Sequence, residues 1–225
     1  MTSVVSELPV HVDERDAAGI VAWAAQTFGS GLVFTSSFED PVLVHLVATH
    51  ASGTPIVLID TQYLFAETQW FAETLRRRFD FPLEVVRPLE SVVPDDQWQS
   101  DVEACCHRRK VEPLERALAG RAAWITGIRR ADGPTRADAP VVAYEPSRRI
   151  VKINPLATWT DADLASYIIE HELPVNPLSE RGYPSIGCWP CTRPVAPGED
   201  KRAGRWSGQS KTECGLHVSG KVDVK

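Results

Sequence analysis

The chain has 225 residues, of which 43% are hydrophobic and 24% charged, and this composition is typical of a folded globular protein. No apolar run approaches the roughly 20 residues that a membrane-spanning helix needs, which argues against a membrane protein. The formal net charge of −6 argues against sequence-independent binding to nucleic acid, because such binding depends on a basic surface.

Short apolar runs alternate with longer amphipathic runs along the first two thirds of the chain, a pattern typical of a parallel sheet with crossover helices. Strands are predicted over residues 31–37, 55–60, 83–87 and 122–128. Helices are predicted over residues 41–50, 66–79, 100–120 and 160–173. We therefore predict an α/β fold.

Capping residues mark three of these helix starts. Asp40 suits the N-cap of the first helix, and Thr160 suits that of the last. Ser100 and Glu103 have the spacing of a Ser-x-x-Glu capping box, and Pro113 is expected to bend the helix that follows.

The composition changes after residue 175, where prolines, glycines and cysteines become frequent and periodicity is lost. We expect residues 1–175 to form the α/β domain and residues 176–225 to form a site-building extension with a mobile tail, both parts acting as one functional domain. The N-terminal residues lack the basic and apolar segments of a secretory signal, so we expect a cytoplasmic protein with reduced or metal-ligating cysteines.

Four of the five cysteines occur as two close pairs, Cys105-Cys106 and Cys188-x-x-Cys191. Together they could supply the tetrahedral sulfur set of zinc or of an iron–sulfur cluster. The spacing alone favours zinc. Adjacent cysteines on a helix point about 100° apart, however, and a cubane cluster tolerates this better than a single ion. A redox dithiol beside a buried packing pair is the alternative.

Cys214 lies near the C-terminus between Lys211 and His217. Cationic and imidazole neighbours favour a thiolate, and Gly215 allows another molecule to approach closely. This segment therefore suits a nucleophile on a flexible arm, and an incidental exposed thiol is the alternative.

Together these motifs resemble those of the sulfonucleotide reductases of assimilatory sulfate reduction, specifically the cluster-containing adenosine 5′-phosphosulfate (APS) reductases. The motifs that carry the resemblance are Cys105-Cys106-His-Arg-Arg-Lys110, Cys188-Trp-Pro-Cys191, Glu213-Cys-Gly-Leu-His217, Leu58-Ile-Asp-Thr61, Asn154-Pro-Leu-Ala157 with Trp159, and the segment 198–206. The resemblance covers essentially the whole chain.

The resemblance implies an adenine nucleotide alpha hydrolase-like fold, of the kind found in ATP pyrophosphatases. It implies a [4Fe-4S] cluster on Cys105, Cys106, Cys188 and Cys191, and Cys214 as the catalytic nucleophile. The implied reaction reduces APS to sulfite and AMP through an S-sulfocysteine on Cys214, which thioredoxin or a similar dithiol protein then reduces. Such an oxidoreductase serves sulfate assimilation and cysteine biosynthesis.

The resemblance also implies a set of residues that bind the substrate. These residues are Lys110, Arg136, Arg202, Arg205, His217, Ser36 and Ser37, with Arg129 as a further candidate. Two positions depart from the family pattern, because Phe38-Glu39-Asp40 replaces a glycine-bearing turn and Gln62 replaces a glycine. Two carboxylates beside a phosphate would repel it unless they point away or cap the helix.

Three other functions compete with this interpretation. The enzyme could use 3′-phosphoadenosine 5′-phosphosulfate (PAPS), or both nucleotides, although relatives specialised for PAPS generally lack the two cysteine pairs. An ATP pyrophosphatase would need a Ser-Gly-Gly-type loop that this sequence lacks. A zinc-stapled or redox-sensing nucleotide-binding module is the non-enzymatic alternative.

Overall fold

The computed structural model describes Pro9, residues 12–208 and residues 211–217. Its centre is a sheet with strand order β3-β2-β1-β4-β6-β5, in which only β5 runs antiparallel to its neighbour. The strands are β1 (Leu32–Thr35), β2 (Ile56–Ile59), β3 (Leu83–Val86), β4 (Ala123–Ile125), β5 (Val142–Glu145) and β6 (Ile150–Ile153).

Helices pack against this sheet. They are α1 (Ala17–Phe28), α2 (Val42–His50), α3 (Ala66–Phe79), α4 (Gln97–Ser100), α5 (Val102–Cys106), α6 (Glu112–Leu118) and α7 (Asp161–Glu170). A π-helical segment, His107–Val111, joins α5 to α6. None of the helices among the described residues has both the length and the apolar character that crossing a bilayer requires.

The central strands are buried on both faces, and this explains their continuous apolar sequences. Along β1, Leu32 and Phe34 enter the larger core with α1, α2 and α3, whereas Val33 enters a second core with α6. Side chains in β4 alternate in the same way, and Trp124 lies in the second core. Two layers of helices therefore cover the sheet, as expected for an α/β fold.

Most of the predicted elements are confirmed. The helix predicted over 66–79 matches α3, and the four predicted strands correspond to β1 to β4 with shorter bounds. Thr160 caps α7, where its hydroxyl accepts a hydrogen bond from the Asp163 N–H. The first predicted helix begins slightly later, at Val42, so the predicted N-cap is wrong: Pro41 rather than Asp40 occupies that position, although the Val42 N–H donates to Asp40 Oδ1 at 3.0 Å.

The predicted capping box is wrong. Ser100 ends α4, and Asp101 caps α5 by accepting a hydrogen bond from the Ala104 N–H at 2.9 Å. An aspartate performs this task as well as a serine, so the preceding Ser-x-x-Glu spacing was misleading. The helix also changes form before Pro113, because the π-helical segment precedes it and Pro113 enters the first turn of α6. Proline has no N–H to donate and is tolerated there.

The strand order creates a crevice between β1 and β4. The chain crosses from β1 to β2 and β3 on one side, then returns to β4 on the other side of β1. Ligands of open α/β sheets bind beyond the carboxyl ends of the strands at such a topological switch point. The fold therefore directs attention to the loops that follow β1, β2 and β4.

Candidate active site

A cavity of about 500 Å³ lies where those loops meet. Every residue expected to be catalytic or to bind substrate lines it: Cys214, Lys110, Arg136, Arg202, Arg205, His217, Ser36 and Ser37. Residues from both sides of the predicted division at 175 contribute to the lining. Its apolar part contains Leu43, Leu58, Leu64, Leu156, Leu164 and Ile168. The cavity thus combines apolar surface with a concentration of cations, as a nucleotide site requires.

The serine turn after β1 keeps its shape without the expected glycine. Phe38 has a φ of 52°, a left-handed conformation that glycine adopts more readily. The Phe38 N–H donates to Ser36 Oγ at 3.0 Å, and the buried ring stacks on Phe81. Packing and hydrogen bonding therefore hold this residue in the backbone conformation that the turn needs.

The two carboxylates after this turn are engaged by backbone donors. Asp40 accepts a hydrogen bond from the Val42 N–H, and Glu39 Oε2 accepts one from the Ile186 N–H at 2.8 Å. Burial raises the pKa of both carboxyls, although Arg205 opposes this for Glu39. Asp40 therefore bonds the start of α2 and Glu39 is held by Ile186, but both residues line the cavity, so the structure does not turn them away from a bound phosphate.

Gln62, the second departure from the family pattern, also has a positive φ, of 68°. Its Nε2 donates to the carbonyl of Val92 at 3.0 Å, and its Oε1 accepts a hydrogen bond from Arg109. A glycine would adopt this backbone without strain but would lose both side-chain contacts. Gln62 therefore links the loop after β2 to the π-helical segment that follows the first cysteine pair.

The four paired cysteines line one small cavity beside the larger one. Cys105, Cys106 and Cys188 are buried, and Cys191 is half-buried. Cys188 is fixed by a β-bridge to Leu64 and by the Thr61 hydroxyl, 3.2 Å from its Sγ. In the described part of the chain, no three His, Cys, Asp or Glu side chains converge closely enough to hold a single metal ion.

The four cysteine sulfurs fit a metal cluster in which each sulfur binds a different metal atom. Burial raises the pKa of Cys106 to about 11 and also raises the pKa values of Cys105 and Cys191. Thiols shielded from water are costly to ionise unless positive charge or metal compensates them. Lys110 lines the same small cavity and supplies part of this charge.

Arg109 contributes a second cation, which the sequence analysis missed. Its side chain is only 1% exposed and lies over the Tyr63 ring at 4.6 Å. It forms a 3.0 Å ion pair with Asp95, donates to the Val93 carbonyl, and opposes the effect of burial on the pKa of Cys105. Its Nε is buried without a partner among the described residues. Arg109 and Cys105 line the same small cavity, where an unpaired N–H donor suits an anionic sulfur.

Lys110 lies between the two cavities and lines both. Burial lowers its pKa, but the sulfurs of Cys188 and Cys214 outweigh this, and the net shift is upward. The ammonium group is therefore charged at neutral pH. The predicted placement of Lys110 near Cys106 is retained even though the intervening helix is π-helical rather than regular.

Arg205 approaches the cavity through a gap left by Gly187. A Cβ at residue 187 would come within 2.5 Å of Arg205 Nη2, so only glycine leaves the guanidinium room. Arg205 Nη1 donates to Ser185 Oγ and to the Ile186 carbonyl, both at 3.2 Å. Its Nε is buried without a partner among the described residues, which leaves a donor for an anion.

Arg129, in contrast, is engaged by carboxylates. Its Nη2 lies 2.8 Å from Asp132 and 2.7 Å from Asp161, and Lys201 contacts the same two carboxylates at 3.2 Å. Two cations and two anions thus compensate one another on this wall of the cavity. Arg129 therefore acts in a structural network that positions the loop after β4.

The C-terminal segment 211–217 closes one side of the cavity. Leu216 packs against the second core, and the His217 ring stacks on Trp124 with centroids 5.4 Å apart. Burial and the nearby cations, Lys152 first among them, lower the pKa of His217 well below its usual value. The imidazole is therefore neutral, and its Nδ1 is buried without a partner in the described structure. Cys214 lines the cavity between these anchors and Glu213.

Residues 31–194 match the phosphoadenosine phosphosulfate reductase domain family. An "Adenosine 5'-phosphosulfate reductase" of Rhodococcus opacus is 44% identical over 224 residues, an alignment that covers 92% of this chain and 91% of the relative. The phosphoadenylyl-sulfate (PAPS) reductase of Candida auris, solved with phosphate, superposes with a TM-score of 0.69 at 28% identity, covering 79% of this chain and 90% of that one.

A more distant structure supports the fold alone. FMN adenylyltransferase of Candida glabrata has a TM-score of 0.58 at 16% identity, over 80% of this chain and 65% of that one. The architecture is the adenine nucleotide alpha hydrolase-like α/β fold that the resemblance implied. With the family match over residues 31–194 and 44% identity to a relative across almost the entire chain, the protein belongs to the phosphoadenosine phosphosulfate reductase family.

Proposed function

We propose that the protein reduces adenosine 5′-phosphosulfate to sulfite and AMP in sulfate assimilation. Relatives at 40–44% identity carry the name of this activity. The observation that carries the proposal is the placement of a cysteine thiol, Cys214, in one cavity with Lys110, Arg205 and the serine turn at the sheet's switch point. A soft nucleophile beside a cationic nucleotide site is what transfer of a sulfo group needs.

Cys214 is the nucleophile in this mechanism. Its thiolate attacks the sulfur of APS, so that a sulfur–sulfur bond forms while the bond from sulfur to the bridging oxygen breaks. The electron pair of the broken bond leaves on the phosphate of AMP. The product on the enzyme is an S-sulfocysteine, and no external reductant has been used at this stage.

The cations stabilise the charge that develops on the leaving phosphate. Lys110 and Arg205 contact the phosphosulfate in this proposal, because each faces the cavity with donors to offer. Neutral His217 hydrogen-bonds the sulfonate. Arg136 and Arg202 add positive charge at the edge of the cavity while they contact the C-terminal segment. Ser36 and Ser37, with the backbone of their turn, bind the nucleotide phosphate.

A dithiol protein such as thioredoxin completes the reaction. One of its thiolates attacks Sγ of Cys214, sulfite leaves with the electrons of the sulfur–sulfur bond, and a mixed disulfide forms. The second thiol of the dithiol resolves this disulfide and restores the Cys214 thiol. The dithiol is thereby oxidised and the sulfo group is reduced to sulfite. All five cysteines are free, which agrees with a reducing cytoplasmic setting.

Cys105, Cys106, Cys188 and Cys191 would hold a [4Fe-4S] cluster. Four cysteines in one cavity, three of them buried, with Arg109 Nε lacking a partner among the described residues, suit such a group. The bound cluster would supply a fixed electrostatic and structural centre. The four cysteines would thereby fix the C-x-x-C loop and Lys110 in place beside the bound substrate. Iron and sulfide analysis of anaerobically purified protein tests this, and zinc in their place would contradict it.

Mass spectrometry tests the reaction directly. Protein incubated with APS and no dithiol should gain one sulfo group on the peptide that contains Cys214, and adding a reduced dithiol should remove it as sulfite. Cys214→Ser should keep the cluster and gain no adduct, and AMP with inorganic sulfate is the matched reagent control. An adduct on another cysteine, or none at all, would refute the proposal.

PAPS is the second candidate substrate, since the Candida auris structure bears the name of a PAPS reductase. At 28% identity that protein is more distant than the APS reductases at 40–44%. We therefore propose APS as the preferred substrate. Sulfite release from the two nucleotides in competition decides between them, and a preference for PAPS would reverse the assignment.

A further inference from the structure

Glu213, the residue before Cys214, holds two of the site's arginines. Its carboxylate receives Arg136 through Nε and Nη2, both at 2.9 Å, in a bidentate ion pair. The Thr135 hydroxyl donates to the same carboxylate at 3.0 Å, and Arg202 Nη2 is 3.6 Å away. The loop after β4 and the segment before the tail therefore converge on one tail carboxylate.

These arginines are occupied by the protein itself. All three nitrogens of Arg136 have partners, because its Nη1 pairs with Asp132 at 3.3 Å. Arg202 Nη2 donates to the Thr212 carbonyl at 3.0 Å, so it holds the backbone next to Glu213 as well. Lys110 and Arg205 contact neither Glu213 nor Thr212 in the described structure. The four cations thus divide into two that hold the tail and two that remain available to substrate.

The Glu213 contacts differ from an ordinary surface ion pair. The side chains of Arg136 and Glu213 are 15% and 20% exposed, whereas Arg193 and Glu199 in the same region are 43% and 35% exposed. A partly buried bidentate pair is stronger and more directional than an exposed one. The nearby arginines keep the Glu213 carboxyl ionised, because they lower its pKa against the effect of burial.

We propose that Glu213 is a positioning residue, whose ion pair with Arg136 and Arg202 holds Cys214 over the nucleotide cavity. This deepens the proposed function and rests on it, because Cys214 needs a fixed place only if it attacks a bound substrate. Lys211, which also precedes Cys214, makes a second charge contact, at 2.5 Å from Glu103 on the cysteine helix α5. Both charge contacts lie on the N-terminal side of Cys214, and the stacking of His217 on Trp124 holds the segment on its C-terminal side.

Accessibility of Cys214 to an uncharged alkylating reagent tests the proposal without substrate. The rate at which iodoacetamide labels the Cys214 peptide is measured by mass spectrometry at increasing pH. The rate reached at the pH where labelling no longer increases, and Cys214 is fully ionised, is then compared between wild type and variants. Glu213→Gln should raise this rate about tenfold, since a charge-assisted bidentate contact is lost. Glu199→Gln, which breaks the exposed pair with Arg193, is the matched control and should label at the wild-type rate.

A double-mutant cycle identifies the partner. Arg136→Gln should raise the labelling rate as Glu213→Gln does, and the double variant should be no faster than either single variant. Equal labelling of wild type and Glu213→Gln, or fully multiplicative effects in the cycle, would overturn the proposal. Because no substrate is present, this result is independent of whether a sulfo group forms on Cys214.

Substrate kinetics give a second readout that a merely structural role would not produce. Glu213→Gln frees Arg136 and Arg202, so the dissociation constant for AMP should stay the same or fall. The rate of sulfo transfer to Cys214 at saturating APS should fall about tenfold or more, because the nucleophile is no longer held in place. A variant that loses AMP affinity in proportion to its transfer rate would show that Glu213 acts on the substrate site instead.

Discussion

Phe38 offers a direct test of how the serine turn is held. Its φ of 52° strains any residue with a Cβ, and its ring is 0% exposed and stacks on Phe81 with centroids 6.5 Å apart. Its carbonyl also accepts a hydrogen bond from Asn176 Nδ2 at 3.0 Å. The buried ring stabilises the fold at this position, and the Cβ destabilises it.

The two effects can be separated by comparing alanine with glycine. Phe38→Ala loses the ring, at a cost of about 3–5 kcal/mol, and keeps the strained Cβ. Phe38→Gly loses the same ring but relieves about 1–2 kcal/mol of left-handed strain. The greater freedom of glycine in the unfolded chain costs about 0.5–1 kcal/mol. Subtracting the second range from the first leaves about 0–1.5 kcal/mol, so Phe38→Gly should unfold with a free energy roughly 0.7 kcal/mol higher than that of Phe38→Ala.

Urea unfolding of both variants measures this difference, with Phe34→Ala and Phe34→Gly as the matched pair. Phe34 is 2% exposed in β1, and its φ is not among the positive values of the described residues. Glycine should there be about 0.5–1 kcal/mol less stable than alanine, as is usual in a strand. The order of the two variants should thus reverse between positions 34 and 38. The same order at both positions would refute the reasoning.

Three further perturbations have defined outcomes. Lys110→Ala should lower the rate of sulfo transfer at least tenfold without loss of iron, and unchanged transfer kinetics would remove Lys110 from the site. Cys188→Ala should reduce iron content and the thermal unfolding temperature together, because ligation free energy is part of folding free energy; iron content equal to wild type would contradict its ligand role. Burial lowers the pKa of Lys152 from its ordinary value of 10.5 to about 8. Between these two pH values, Lys152 therefore binds fewer protons in the folded protein than in the unfolded chain. Wild-type stability relative to Lys152→Met should therefore rise from pH 8 to 10.5 in urea unfolding, and a constant difference would contradict the shift.

The fold could be predicted where local sequence and burial agree. The strands β1 and β2 are rich in apolar residues and α3 has the length and amphipathic pattern of a surface helix, so their presence follows from the sequence, although both strands are shorter than predicted. The β5–β6 hairpin was missed because its strands include Tyr144, Glu145 and Lys152, whose polar groups obscure the pattern. Helix α1 was missed as well, although Asp16 caps it.

The candidate site residues were named from sequence motifs, but the contacts among them were not predicted. The five cysteines and the substrate-binding candidates named from the sequence all line one or both of the two adjoining cavities. What the sequence did not reveal is which charge faces which, because Arg136 and Glu213 are far apart in the chain and an arginine-rich loop is usually solvated. Arg109 gave only one signal, its position four residues after Cys105, and this spacing predicts a shared face only on a helix.

Irregular backbone is concentrated around the site, and this explains why local preference fails there. Phe38 and Gln62 have positive φ beside the nucleotide cavity and the cysteine helix, and Trp206 has a φ of 47° where it lines the cysteine cavity. The π-helical segment His107–Val111 carries both Arg109 and Lys110. Such conformations persist only when the surroundings over-determine them. The contacts of Phe38 with Phe81 and of Gln62 with Val92 are long-range, so the tertiary core, rather than the local sequence, sets the geometry in which Cys214 and its cations meet.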